Sequence, residues 1–198
     1  VDFESHGASS IYNQSEDYVE LGRFRVQNND TSSETRDVNF QSITLRQNGN
    51  GDLSDLSELY IERNGVKVSK EVTTSGKDAT FVLNDTVKDG ASGIYYIKAK
   101  VLNVQNNNGD SYQFSLRNDQ DLSAVEVLNG YRSTVTRISS DLNEYKVNGS
   151  DVTFTRDTSV ELSRNYAKGT NDVVLLQGTV ATKTPITLED LTLPFNSN

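Results

Sequence analysis

The sequence predicts an all-β protein built as an antiparallel sandwich. Three observations carry that reading. Tyr, Phe, Val, Ile and Leu recur at every second position between turn signals, the pattern of strands buried on one face. No stretch holds a 3.6-residue apolar period over a useful length. Roughly a dozen such segments follow one another at short spacing, which favours a sandwich over strand–helix–strand units.

Taken in order, Val1 to Ser15 reads as an N-terminal arm and one candidate donor strand, with Val1, Phe3, Ile11 and Tyr12 as its only apolar anchors, while the C-terminal region from Asp172 to Phe195 offers the stronger donor. Asp17 to Val26 is a strand pointing Val19, Leu21, Phe24 and Val26 inward. Its phase slips at Gly22, which predicts a bulge there. Asp37 to Arg46 is the next strand, with Val38, Phe40, Ile43 and Leu45 inward and a second slip at Gln41–Ser42. Gln47 to Asp55 is a Gly/Asn/Asp loop that runs into one helical turn through Leu53, Leu56 and Leu59. Asn64–Gly65 between Leu59–Arg63 and Val66–Val68 predicts a type I′ hairpin, since both central residues need φ > 0. Thr80 to Leu83 and Ile94 to Val104 are strands, and Tyr112 to Leu116 is expected to return as the hairpin partner of the latter. Val125–Leu128 and Ser133–Ile138 follow. Tyr145–Val147, Asn148–Gly149 and Val152–Phe154 predict a second Asn-Gly hairpin. Both prolines, Pro185 and Pro194, fall near the C-terminus. Residues 16–142 are read as the main sandwich and 143–198 as a C-terminal β segment, a partial second sandwich.

An internal echo supports that division. Asp17–Leu21 before Gly22 resembles Asp172–Leu176 before Gly178, and Val38, Phe40, Ile43 and Leu45 align with Ile186, Leu188, Leu191 and Leu193. Two amphipathic strands in a row also look alike by chance. If the echo is a duplication, the second copy lacks the strands that cover the first. Val173, Val174, Leu175, Leu176, Ile186, Leu188, Leu191, Leu193 and Phe195 then form an apolar face that needs covering. The cover is the main domain, a neighbouring subunit or further chain. At about 1.5–3 kcal/mol for each buried side chain, such a face can hold an assembly together, less the cost of ordering.

Composition narrows the function. The chain has 198 residues, 34% hydrophobic and 24% charged, with net charge −9. That balance leans toward disorder, but a sheet needs only alternate apolar residues, so the pattern outweighs it. Absence of Cys removes disulfides, thiolate metal sites and a thiol nucleophile. A single His, His6, is a poor basis for Ser-His-Asp chemistry. A pI near 4.6 argues against nucleic acid. No basic-then-apolar segment stands at Val1, and no apolar run approaches the ~18 residues of a membrane span.

The succession DYVELGRFRV, then VNFQSITLRQNGNGDLSDLSELYIERNGVKV, resembles the immunoglobulin-like sandwich repeats of prokaryotic cell-surface proteins, among them S-layer proteins, adhesins and surface filaments. The stretch from Asp52 to Ile61 leading to Asn64–Gly65 is its most characteristic part. The resemblance spans about residues 15–105, with a weaker return at 151–195. It implies an extracellular, cell-surface, non-enzymatic structural role and transfers no catalytic residue.

Four side chains, Asn48, Asn50, Asp52 and Asp55, stand with Gly49 and Gly51 on a loop of oxygen donors, a weak calcium candidate. The spacing is not that of an EF-hand, and a solvated loop is the plainer reading. The strand tyrosines Tyr18, Tyr60, Tyr95, Tyr96 and Tyr112 suit cross-strand packing more than a sugar platform. Four Asn-x-Ser/Thr sequons, at Asn13, Asn29, Asn84 and Asn148, are about what chance gives in so Asn-, Ser- and Thr-rich a chain. No carboxylate pair is marked out for glycoside hydrolysis. No cofactor is called for. The expectation is an extracellular structural subunit that polymerises head-to-tail with copies of itself by β-strand complementation, into a filament or a layer. The alternative is a monomeric adhesin or carbohydrate-binding module.

Overall fold

The structure is a computed structural model of the chain. It describes residues 1–7, 10–13, 18–29, 35–102, 109–148, 152–159, 165, 167–174 and 176–182. Two units divide the chain, Val1–Gly149 and Ser150–Asn198. The described residues form strands and two one-turn 3-10 helices, with no α-helix.

Unit 1 is an all-β sandwich. Its strands are β1 (Asp2–Ser5), β2 (Ser10–Asn13), β3 (Val19–Gln27), β4 (Val38–Gln47), β5 (Leu56–Arg63), β6 (Val66–Lys67), β7 (Ser69–Ser75), β8 (Asp78–Val87), β9 (Ser92–Val101), β10 (Ser111–Tyr112), β11 (Phe114–Ser115), β12 (Leu122–Glu126), β13 (Thr136–Arg137) and β14 (Tyr145–Asn148). One sheet runs β13-β1-β3-β9-β5-β6. The other runs β11-β4-β8-β7, with β12 also on β4, and a small sheet β10-β14-β2 completes the unit. All pairs are antiparallel except β1 with β13 and β2 with β14.

Alternation places the core between the two large sheets. Phe24 of β3 stacks on Tyr95 of β9 at 5.3 Å between ring centroids, and Phe40 of β4 meets Tyr95 edge-on at 5.2 Å. Phe3 lies 5.2 Å from Phe24. Leu21, Ile43, Leu45, Phe81, Ile97, Phe114 and Leu122 fill the remainder, all buried. Both phase slips are bulges. The β3–β9 register shifts between Glu20 and Gly22, leaving Leu21 and Gly22 both buried. A Cβ on Gly22 would lie 3.0 Å from Ile97 Cδ1, so glycine fits where the strand kinks. On β4 the register shifts between Phe40 and Ser42 against β8, leaving Gln41 exposed. Asn64 (φ 51°) and Gly65 (φ 78°) turn β5 into β6 as a type I′ hairpin requires.

The registers orient the chain through the unit. Asp2 pairs with Gln27, and Val38 pairs with Val87 at the same end, where Asn28 Nδ2 donates to Arg36 O at 2.6 Å. At the other end Leu56 pairs with Val101, and Val147 N donates to Asp110 O. β1 therefore begins at one end of unit 1, and β14 finishes at the opposite end.

Several expectations are corrected. Tyr112–Leu116 does not return beside β9. β10 pairs with β14 and β11 with β4, because burial of Tyr112 and Phe114 binds this segment to the other sheet. The second Asn-Gly pair does not join partners, since β14 pairs with β2 and β10. The helical turn is confined to Leu53–Asp55, and Leu56 and Leu59 belong to β5. The boundary falls after Gly149, not at 142/143, because Tyr145 and Val147 are buried within unit 1. In residues 1–7 and 10–13 the expected N-terminal arm is built into unit 1. β1 is held on one side by β3 and on the other by β13, with Val1 N donating to Thr134 O at 2.8 Å and Ile138 N to Phe3 O at 2.8 Å.

In unit 2 the described residues form one antiparallel pair, β15 (Val152–Arg156) with β16 (Gly178–Thr182), in the register Phe154↔Val180. Asp172–Val174 and Leu176 are not strand, and the strand of this region is β16.

Candidate functional site

The β15–β16 pair is short and uncharged apart from Arg156. β-branched residues dominate it, which suits strand backbone. A Cβ on Gly178 would lie 2.5 Å from Phe154 Cζ and 2.8 Å from the main-chain Thr155 O, so glycine fits this position. Phe154 is 50% exposed and Val180 44%. Neither strand has a second partner among the described residues. A two-stranded ribbon with an open apolar face is marginal in water, and its unpaired N–H and C=O groups are templates for another strand.

A similar apolar spacing occurs, covered, in unit 1. Val1-Asp2-Phe3-Glu4 and Val152-Thr153-Phe154-Thr155 both read Val-x-Phe-x, and each strand pairs antiparallel, with Phe3 opposite Val26 and Phe154 opposite Val180. Among the residues expected to form the assembly face, Val173 is half-buried and Val174 and Leu176 are exposed, all outside strands. Leu175, Ile186, Leu188, Leu191, Leu193 and Phe195 lie outside the described residues. The exposed apolar pair that the structure does bring together is Phe154 and Val180.

Unit 1 carries a second apolar surface. β12 turns back through Val127–Tyr131, with Gly130 at φ 73° and Gly130 N bonded to Glu126 O. The turn projects Val127, Leu128 (69% exposed) and Tyr131 (72%). It sits at the Val1 end, where Val127 N donates to Asp37 O. Tyr131 borders a cleft of about 390 Å³ that Val1, Asn29, Arg36 and Thr134 also line.

Three of the four calcium candidates are engaged in hydrogen bonds within unit 1. Asn50 Oδ1 accepts from Ser111 N (2.6 Å) and Ser111 Oγ (2.9 Å), Asn48 Nδ2 donates to Ser115 Oγ, and Asp52 Oδ1 accepts from Ser54 N (2.8 Å). That last bond holds the Asp52 carboxyl below its ordinary value. Among the described residues no three His, Cys, Asp or Glu side chains group as metal ligands do. The loop is not a free solvated coil. It is pinned to β10, with the buried Gln47 side chain donating to Gly51 O and Ser111 O.

The tyrosines divide into core and rim. Tyr95 and Tyr112 are fully buried. Tyr18 and Tyr60 meet edge-on at 5.6 Å beside a shallow cleft of about 360 Å³. Lys100 Nζ stands 4.8 Å over the Tyr18 ring and Lys67 Nζ 5.4 Å over that of Tyr60, so cations occupy faces a sugar ring would need. Glu58, at φ 51° in a bulge of β5, accepts from Tyr18 Oη and from Lys100 Nζ (2.6 Å), and these bonds hold its carboxyl low. The outer face continues this pairing through Arg25–Glu4, Arg23–Glu20 and Lys98–Glu62.

No protein-family model and no curated protein matches the chain. Three solved structures share part of its strand arrangement. A non-cellulosomal cohesin from the hyperthermophilic archaeon Archaeoglobus fulgidus is 14% identical at TM-score 0.42, over 73% of this chain and 88% of that one. A family 123 glycoside hydrolase from Clostridium perfringens is 11% identical at TM-score 0.32, over 71% of this chain and 23% of that one. The Actinomyces fimbrial adhesin FimA is 11% identical at TM-score 0.31, over 68% and 49%. No helix among the described residues is long and apolar enough to cross a membrane.

Proposed function

We propose that this chain is a non-enzymatic, extracellular structural subunit of the cell surface. It assembles with copies of itself, and a neighbouring copy completes its unit 2 by β-strand complementation. The observation that supports this reading is the β15–β16 ribbon, with open edges and Phe154 and Val180 half exposed. Burying an apolar face and pairing main-chain groups both favour addition of a strand from outside. A contact between two different surfaces of identical subunits does not close on itself and propagates as a fibre or a layer.

Negative-stain microscopy and size-exclusion chromatography of the purified chain test this. Polymers that grow with concentration are expected. A discrete 21.9 kDa particle at all concentrations, binding a glycan or a surface ligand, would instead favour the monomeric adhesin or carbohydrate-binding module. The cation-capped rings of Tyr18 and Tyr60 weigh against the sugar-binding form of that second reading.

A further inference from the structure

We infer that Asn64 is a site of covalent modification, at which attack by the Gly65 main-chain nitrogen removes the side-chain amide and ages the β5–β6 hairpin of unit 1. The chemistry is open to any Asn-Gly pair. The Gly nitrogen bonds to the Asn Cγ, the Cγ–Nδ2 bond breaks, and ammonia leaves, carrying the proton from the attacking nitrogen. Water then opens the cyclic imide at either carbonyl and gives aspartate or isoaspartate. Water is the only co-reactant. Glycine favours the attack because no Cβ hinders the approach. Six Asn-Gly pairs occur, at Asn48, Asn50, Asn64, Asn108, Asn129 and Asn148. Their shared dipeptide does not rank them, whereas their hydrogen bonds do.

The reaction needs a free Gly N–H, a free Asn amide and room for the two to meet. Three pairs do not offer this. Gly49 N donates to Gln47 Oε1 at 2.8 Å, and Asn48 Nδ2 donates to Ser115 Oγ at 2.9 Å. Gly51 is buried with its N donating to Ser111 O at 3.0 Å, and Asn50 Oδ1 accepts from Ser111 N at 2.6 Å. Gly130 N donates to Glu126 O at 3.0 Å, and Asn129 Nδ2 donates to Glu126 Oε1 at 3.1 Å. The pairs at Asn108 and Asn148 each include a residue outside the described ones. Asn64 and Gly65 differ on every count. Both are exposed, and among the described residues no hydrogen bond holds the Asn64 side chain or Gly65 N. A Cβ on Gly65 would meet nothing within 4 Å. Attack requires the main chain at Asn64 to rotate out of its left-handed conformation, φ 51°. Local opening at this tip costs little, because β6 pairs with β5 only at Glu62↔Lys67 and Arg63↔Val66, and Val66 is 63% exposed. Isoaspartate routes the chain through the former side chain and adds a methylene to the turn, so the product is expected to lose that register.

Peptide mapping by mass spectrometry of the full-length chain decides it. The folded chain is held at mildly alkaline pH, sampled over days and compared with the same chain in denaturant. In the folded chain Asn64 is expected to convert at least about tenfold faster than Asn48, Asn50 or Asn129, whose pairs must first break their hydrogen bonds. Its peptide is expected to split into two products of equal mass, one of which elutes with the peptide of an Asn64→Asp chain. In denaturant all four are expected to react at similar rates, since each precedes a glycine. If Asn48, Asn50 or Asn129 keeps pace with Asn64 in the folded chain, the assignment is wrong. It is equally wrong if Asn64 reacts in denaturant and stays intact in the folded chain. Neither result bears on self-assembly, so the assembly reading is judged separately.

Discussion

Phe3 and Phe154 occupy the same place in the same Val-x-Phe-x pattern, yet Phe3 is fully buried and Phe154 is 50% exposed. Each lies on a strand paired antiparallel, with Phe3 opposite Val26 and Phe154 opposite Val180. The difference is what lies beyond. Phe3 has β13 alongside and Phe24 and the opposite sheet beneath it, whereas Phe154 has β16 alone among the described residues.

Truncating the two residues should therefore give opposite results. Phe3→Ala empties a filled site and is expected to cost about 3–5 kcal/mol of unit 1 stability in a denaturant titration. Phe154→Ala is expected to leave unit 1 within about 0.5 kcal/mol of the unaltered chain and to weaken association instead.

Tyr95 Oη donates to Asp85 Oδ2 at 2.6 Å, and Arg63 holds the same oxygen at 2.7 Å. Removing the hydroxyl in Tyr95→Phe keeps the ring stack on Phe24 but takes away a hydrogen bond to a charged group. The expected cost is about 1.5–3 kcal/mol by denaturant titration.

The loop pinned to β10 depends on small residues. A Cβ on Gly51 would lie 2.7 Å from the Tyr112 ring, so Gly51→Ala is expected to destabilise unit 1 by about 1–3 kcal/mol. Because Asn50 Oδ1 is engaged by Ser111 of β10 and Asp52 Oδ1 by Ser54 N, neither calcium nor a chelator is expected to move the melting temperature. A calcium-dependent rise would contradict that account of the loop.

Alkaline titration reads the core. Burial raises the pKa values of Tyr95 and Tyr145, with help from hydrogen bonds to Asp85 and Glu20, and burial with the nearby Asp55, Asp110 and Asp52 raises that of Tyr112. Groups so shifted stabilise the fold fully below their ordinary pKa of 10.0, and that contribution is lost as pH rises toward the folded values. Of the nine tyrosines, these three are expected to ionise only together with unfolding in an ultraviolet titration. A single reversible class near the ordinary value would contradict the burial.

Strand parity made much of this fold readable. The slips at Gly22 and Gln41 and the turn at Asn64–Gly65 depend on a few adjacent residues, and they appear as expected. What failed was pairing between distant segments. Tyr112–Leu116 alternates as any partner of β9 would, and only burial against β4 and β14 sends it elsewhere. β7 has no alternation to read, because Val72 is the one apolar residue in Ser69–Ser75. Apolar content points to Asp172–Phe195 as the assembly segment of unit 2. Among the described residues the strand there is Gly178–Thr182, whose glycine meets the Phe154 ring.

Sedimentation velocity of the intact chain over a wide concentration range tests the central claim most directly. Open-ended association predicts boundaries that keep moving to larger species as concentration rises, with no preferred closed oligomer. One sharp 21.9 kDa boundary throughout would contradict it.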